Sequence, residues 1–184
     1  MKEKESAKTH LLWLDLEMTG TNPAQDVILE IACAMSDNAL HVTAEGPELV
    51  IHQSDATLAQ MNDWCKKQHA QSGLIERVQA SKTTIVEAEE QIVHFVAQYC
   101  KAHSVVLCGN SIHQDRAFLA AYMPRIFPYL HYRMIDVSTV KELVRRWYPN
   151  NPHTEFKKSD THRAMSDVYE SIAELQNYRH YFFN

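Results

Sequence analysis

Leu11-Leu12-Trp13-Leu14-Asp15-Leu16-Glu17 is the stretch that most restricts how this chain can fold. It is apolar on both sides of an extended segment, so residues 10–16 read as a buried strand. Asp15 and Glu17 lie two apart and therefore point to the same side of it. A rise of about 3.4 Å per residue sets their Cα atoms about 6.8 Å apart. That span suits two ligands flanking one metal ion, and carboxylates in such apolar surroundings usually need a partner or a metal. An edge strand with its polar face in water is the other reading of the same residues.

The organisation around this strand follows from punctuation and periodicity. Thr19-Gly20-Thr21-Asn22-Pro23 is a turn, residues 27–35 are a second strand, and residues 48–52 are a third, after a break at Gly46-Pro47. Connections this short make the three an antiparallel meander. Residues 55–70 carry Leu58, Met61, Trp64 and Cys65 at helical spacing. Residues 81–102 are a clearer helix that Thr83 or Thr84 can cap. Residues 104–108 form a β-rich run, followed by a helix from about 114 to 122 that stops at Pro124. Met134-Ile135 is a fifth strand, 137–147 a helix, 150–160 a polar loop and 163–178 a final amphipathic helix. Strands first, then alternating helix and strand, give an α/β fold with a mixed sheet and helices on its faces.

At 184 residues with 45% apolar side chains, the chain is expected to be one domain over residues 1–184. Residues 1–9, charged and polar, are expected to be a flexible extension. No apolar run approaches a membrane span, and no apolar signal core follows the N-terminus, so the cytoplasm is the default location. The cysteines at 33, 65, 100 and 108 have no C-x-x-C spacing and read as buried free thiols. A net charge of −5, from 18 basic and 23 acidic side chains, is wrong for gripping long nucleic acid by its backbone. It allows a short strand held in a local pocket.

Two further segments add acids and an imidazole. Asp115 follows Cys108-Gly109-Asn110-Ser111, where a strand hands over to a helix. Ligands in open α/β sheets come from such places, although a first-turn Asp also favours the helix dipole. His162 and Asp167 open the last helix. Five residues turn a helix by about 500°, so His162 belongs at or just before the first turn if both are to reach one cleft. An exposed His on a polar loop is the alternative. Four carboxylates and one imidazole are the parts of a two-metal phosphodiesterase. Carboxylates suit Mg²⁺ or Mn²⁺, and a neutral His can take a proton from water near pH 7.

Order, spacing and flanks together carry a resemblance. The Asp-x-Glu on the first strand, the distant Asp at a helix start and His-x-x-x-x-Asp on the last helix resemble the DEDD exonucleases with a catalytic His. Trp13-Leu14-Asp15-Leu16-Glu17-Met18-Thr19-Gly20, Cys108-Gly109-Asn110-Ser111, His131-Tyr132-Arg133 and Asp136-Val137-Ser138-Thr139 are similar to the oligoribonuclease family. The likeness runs from about residue 10 to 180. It implies a ribonuclease H-like fold, with a five-stranded mixed sheet flanked by helices. It also implies a 3′-to-5′ exoribonuclease that degrades very short RNA, dinucleotides above all, to nucleoside 5′-monophosphates. Asp15, Glu17, Asp115 and Asp167 would hold two divalent cations, Mg²⁺ or Mn²⁺, with His162 as general base. Ser111, Arg133 and Ser138 match positions that bind a 5′ phosphate, Tyr132 one that reaches across a homodimer, and Trp64 and His69 positions near the bases. Trp64 is equally readable as a core side chain.

Thr21 stands where the family often carries a Leu, and Asp160 where a Gly is common two before the His. Two other functions fit the same five residues less well. A proofreading or tRNA-trimming exonuclease would want a basic track, and a silent nucleic-acid-binding module would not need the intact set.

Overall fold

In a computed structural model, described here for residues 10–157 and 163–183, the first strand alternates strictly between two cores. This is β1, Leu11–Met18. Leu12, Leu14 and Leu16 meet Ala88, Ile92, Phe95 and Val96 of helix Ile85–Tyr99 and Ile112, Phe118 and Leu119 of helix Ile112–Tyr122. Trp13, on the other side, meets Ala32, Ala34 and Cys108, then Val137 and Val144 of helix Val137–Trp147 and Ala164, Val168 and Ile172 of helix Ala164–Phe182. The Trp13 Nε1–H donates to Ser36 Oγ at 2.9 Å, so its one buried polar group is satisfied.

The sheet has five strands in the order β3-β2-β1-β4-β5, with β2 at Ile28–Ser36, β3 at Val42–Val50, β4 at Val105–Gly109 and β5 at Leu130–Asp136. β1, β2 and β3 pair antiparallel, as the meander requires, whereas β4 joins β1 in parallel and β5 joins β4 in parallel. β1 is therefore central, which removes the edge-strand reading of Asp15 and Glu17. The mixed α/β fold is as expected. Among the described residues the helices are α1 Asp55–Ala59, α2 Asp63–Gln71, α3 Leu74–Ala80, α4 Ile85–Tyr99, α5 Ile112–Tyr122, α6 Val137–Trp147 and α7 Ala164–Phe182. None of them is long and apolar enough to cross a membrane.

The fifth strand runs over Leu130–Asp136 rather than Met134-Ile135 alone, α5 starts at Ile112 and α3 is additional to the expected helices, while three other departures have local reasons. β3 runs through Gly46-Pro47 instead of starting after it. Ala32 pairs with Glu48 and Ala34 with Glu45, so Cys33 faces two residues and the strand bulges. A Cβ on Gly46 would lie 2.5 Å from Cys33 Sγ, and Pro47 is tolerated because β3 is an edge. The helix expected over 55–70 is two helices. Ser54 caps α1, and Asn62 Oδ1 accepts the Cys65 N–H at 2.8 Å to cap α2. Leu58, Met61 and Cys65 still converge on Leu29, so one apolar rhythm continues across the break. α4 begins at Ile85 behind a Thr84–Glu87 capping box, because Ser81 and Thr83 are engaged with the end of β3. Cys33, Cys65 and Cys108 are buried free thiols, and Cys100 is partly buried.

Candidate active site

β1 places Asp15 and Glu17 on the face that α7 covers, beyond the point where Trp13 ends the apolar packing. Their β2 partners in register are Ala32 and Glu30. The small Ala32 and Ala34 let α7 approach closely, and Ala164 and Val168 pack there. That approach carries Asp167, in the first turn of α7, to the strand pair. One carboxylate oxygen from each of Asp15, Glu17 and Asp167 lies within 4.8 Å of the others. The expected trio is thus brought together from opposite ends of the chain.

Asp115 joins them from another direction. β4 pairs with β1 only as far as Trp13–Cys108, so the Leu16 N–H beyond that point has no β4 carbonyl to meet. Asp115 Oδ1 accepts it at 3.0 Å. The buried α5 carboxylate is thereby fixed beside the peptide that separates Asp15 from Glu17. It lies outside the 4.8 Å trio. His162 and Asp160 lie outside the described residues.

The electrostatics record the crowding. Burial, then the charges of Asp167, Glu30 and Asp115, push the Glu17 carboxyl up to about 8, against an opposing pull from Arg163. Burial also pushes Asp115 up to about 7, although its backbone hydrogen bonds hold it down. Both acids keep their protons longer folded than unfolded. The stability this supplies is complete below the ordinary carboxylate range and is lost as pH rises through those raised values. In chelator, the melting temperature is expected to fall between about pH 5 and pH 8, and a divalent cation should flatten that fall. A metal-free melting temperature that rises over the same interval would overturn the assignment of Glu17 and Asp115 as crowded acids.

His69 is buried beside this cluster. Its Nε2–H donates to the Met18 carbonyl at 2.8 Å, and its Nδ1 is 3.8 Å from Glu17 Oε2. Trp64, five residues before His69 on α2, is 65% exposed, which removes its core reading. The turn after β1 is locked by Asp26, which accepts from Thr19 Oγ1 at 3.1 Å and from the Asn22 N–H at 2.9 Å. A Cβ on Gly20 would sit 2.5 Å from Asp26 Oδ2, so a larger residue would displace the side chain that locks the turn. Thr21 is exposed on that turn, with its carbonyl accepting from Gln114 Nε2 at 3.2 Å.

A second constellation gathers at the carboxyl ends of β4 and β5. The Ser111 N–H donates to Asp136 Oδ1 at 2.9 Å and to Ser138 Oγ at 3.0 Å, and the two serine hydroxyls are 3.2 Å apart. Ser111 holds a left-handed φ of 50°, a conformation uncommon for a non-glycine residue, and its N–H is fixed there by Asp136 and Ser138. Ser138 Oγ–H donates to Asn110 Oδ1 at 3.0 Å, and Asn110 Nδ2 is anchored on Ser171 and Glu174 of α7. Arg133 and Tyr132 project from β5, with the guanidinium carbon 5.2 Å from the Tyr132 ring centre. Tyr132 is 71% exposed, and among the described contacts its ring meets the His131 ring and the Arg133 guanidinium rather than Ser111. Asp136, Asn110 and Glu30 are structural members that the sequence reading missed. Glu30 is a lone carboxylate in Ile28-Leu29-Glu30-Ile31-Ala32, and Asn110 and Asp136 stand inside two of the quoted motifs, so each carried a signal that could have found it.

Comparison with known proteins shows the family to which the chain belongs. The exonuclease family model matches residues 12–175. An oligoribonuclease from Shewanella oneidensis is 52% identical over 170 residues, covering 92% of this chain and 93% of that protein. The human mitochondrial oligoribonuclease is 48% identical over 183 residues, covering 100% of this chain and 77% of that one. In fold, the zinc-bound complex of Escherichia coli exonuclease I with single-stranded DNA superposes with a TM-score of 0.72 at 17% identity, over 96% of this chain. This chain spans only 42% of that enzyme. The chain belongs to the exonuclease family and, within it, to the oligoribonucleases.

Proposed function

We propose that the chain is a single-domain 3′-to-5′ exoribonuclease that hydrolyses very short RNA, dinucleotides above all, to nucleoside 5′-monophosphates. The observation that carries this reading is the meeting of Asp15, Glu17 and Asp167 within 4.8 Å, in a chain half-identical to oligoribonucleases. The donor set fits hard divalent cations, Mg²⁺ or Mn²⁺, because every donor is a carboxylate oxygen. Glu17, raised to about 8 by burial and neighbouring acids, is the mark of negative charge that a dication would neutralise. Two such ions, when bound, would stabilise the attacking and leaving oxygens of an in-line displacement.

The chain's own groups do the rest. Asp15, Glu17, Asp115 and Asp167 hold the ions, and Asp115 is kept in place by the Leu16 N–H. His162 takes the proton of the attacking water. Exposed Trp64 stacks on a base, worth roughly 1–3 kcal/mol, and His69, held by the Met18 carbonyl, contributes to the same base subsite. Ser111, Ser138 and Arg133 receive the 5′ phosphate, with Tyr132 supplied by the second protomer of a homodimer. The cytoplasm remains the proposed location.

A net charge of −5 leaves no long basic track, so length is measured at a capped 5′ end. Arg133→Ala is expected to weaken binding of a 5′-phosphorylated dinucleotide about ten- to a hundredfold, since a charge-assisted bidentate contact is worth roughly 1.5–3 kcal/mol. A dinucleotide lacking the phosphate should bind the native protein poorly and barely notice the change. Equal weakening of both ligands in a calorimetric titration would move the cap elsewhere. The function as a whole is tested by initial rates on 5′-phosphorylated RNA graded from dinucleotide to heptanucleotide. A rate that climbs with length would favour an enzyme of longer strands.

A further inference from the structure

Glu30, the third residue of β2, is fully buried in a strand whose nine residues are all buried. A carboxylate there is tolerated only if its oxygens are met. They are met by three donors from two other elements. Arg77 Nη1, from α3, donates to Oε1 at 2.9 Å. Arg163 Nε donates to Oε2 at 3.4 Å, and the Ala164 backbone N–H, at the first residue of α7, donates to Oε2 at 3.2 Å. Arg163 continues to Glu48 on β3, with Nη2 2.6 Å from Oε1, and Arg77 Nη2 lies 4.0 Å from the same atom. Two acids and two guanidinium groups thus close a ring that ties α3 and the start of α7 to β2 and β3.

Apolar side chains filling the same space would hold a fold at least as well, because a buried ion group gains little over good packing. What the ring supplies that packing does not is a fixed position. Glu30 is the register partner of Glu17, so both side chains leave the same face of the sheet. The Asp167 N–H donates to the Arg163 carbonyl at 2.9 Å, so Asp167 is rooted one turn beyond the ring. Asp15, Glu17 and Asp167 are acids at close range, so any two that ionise together repel, and Asp167 carries that push into the first turn of α7. The ring opposes the push at the residue where α7 begins.

We propose that Glu30 is a positioning residue, which with Arg163 clamps the first turn of α7 to the sheet so that Asp167 is held ready beside Asp15 and Glu17 before any cation arrives. This rests on the reading of that trio as a metal site. In this view Glu30 never touches the ion or the substrate, and it acts only through the seating of α7. Arg77 and Glu48, at the outer rim of the ring, brace Arg163 and contribute less.

The test is Mn²⁺ binding to the folded protein, measured by titration calorimetry and by the electron paramagnetic signal of free Mn²⁺. Glu30→Gln keeps the shape and an acceptor for Ala164 but removes the charge that grips the guanidinium groups. It is expected to weaken Mn²⁺ binding about 10- to 100-fold, the usual effect of a group that orients a ligand from behind. Turnover should recover towards the native rate as Mn²⁺ is raised, and 5′-phosphate affinity, read with a phosphorylated dinucleotide, should stay unchanged. Arg163→Lys, which keeps a charge but loses the two-point grip, should shift Mn²⁺ affinity in the same direction and carries the test if Glu30→Gln does not fold. Native Mn²⁺ affinity in either folded variant, with only a lower melting temperature, overturns the positioning role. Asp15→Ala serves as the control. If it binds Mn²⁺ as the native chain does, the metal site itself is misplaced, a failure distinct from that of the clamp.

Discussion

Asp15→Ala is expected to abolish hydrolysis of a phosphorylated dinucleotide while leaving the metal-free protein at least as stable as the native one. Loss of activity follows from geometry, since the site has its oxygens within 4.8 Å and one missing ligand removes the frame that two ions share. The gain or constancy in stability follows from the same crowding. Asp15 stands with Glu17 and Asp167, and deleting one of three crowded acids relieves the repulsion that arises wherever two of them ionise together in the folded state. Activity assays at saturating Mn²⁺ and melting curves in chelator check the two halves separately. A residual rate above roughly a tenth of native, a loss of less than about 1.4 kcal/mol of transition-state stabilisation, would contradict the two-metal assignment. A large fall in melting temperature would show instead that Asp15 has a structural duty.

His162→Ala is expected to lower turnover by about 10²–10⁴-fold, the usual worth of a positioned general base. Dinucleotide affinity should change far less, because the proton acceptor acts in the transition state. Raising the pH should restore part of the lost rate in the variant, as hydroxide takes over from the missing imidazole. In the native enzyme the rate should instead rise through the ionisation of the base and level off, since the imidazole works only when neutral. A parallel collapse of affinity and rate would make His162 a substrate contact. The contrast with Asp15→Ala is itself informative, because the metal variant should not be rescued by alkali.

The chemistry of the site was more legible in the sequence than its scaffolding. β1 announced itself because apolar residues on both faces demand a central strand, and the two acids among them stood out against that demand. Asp115 was legible as a residue at a strand-to-helix handover, although its bond to the Leu16 N–H could not be, since that donor is freed only by where β4 stops. The bulge in β3 was hidden by Gly46-Pro47, a pair that reads locally as a turn and becomes a strand only because an edge position spares the proline. The break between α1 and α2 was hidden by the opposite effect, an apolar rhythm that both helices share against Leu29. Trp64 precedes the buried Cys65 by one position, so periodicity alone left its side undecided, and the surface position emerged only from how α2 leans on β2. Arg77, Arg163 and Glu48 are far from Glu30 in sequence, and no spacing rule connects them.

The acids proposed to hold the ions come from β1, α5 and α7, elements that leave the ribosome in that order. At a synthesis rate of about 5–20 residues per second, seconds separate the appearance of Asp15 from that of Asp167. β1 meanwhile lacks its parallel neighbour β4, which is made after α1 to α4. A nascent chain that stops short of α7 therefore has no complete acidic centre, however well its meander has paired.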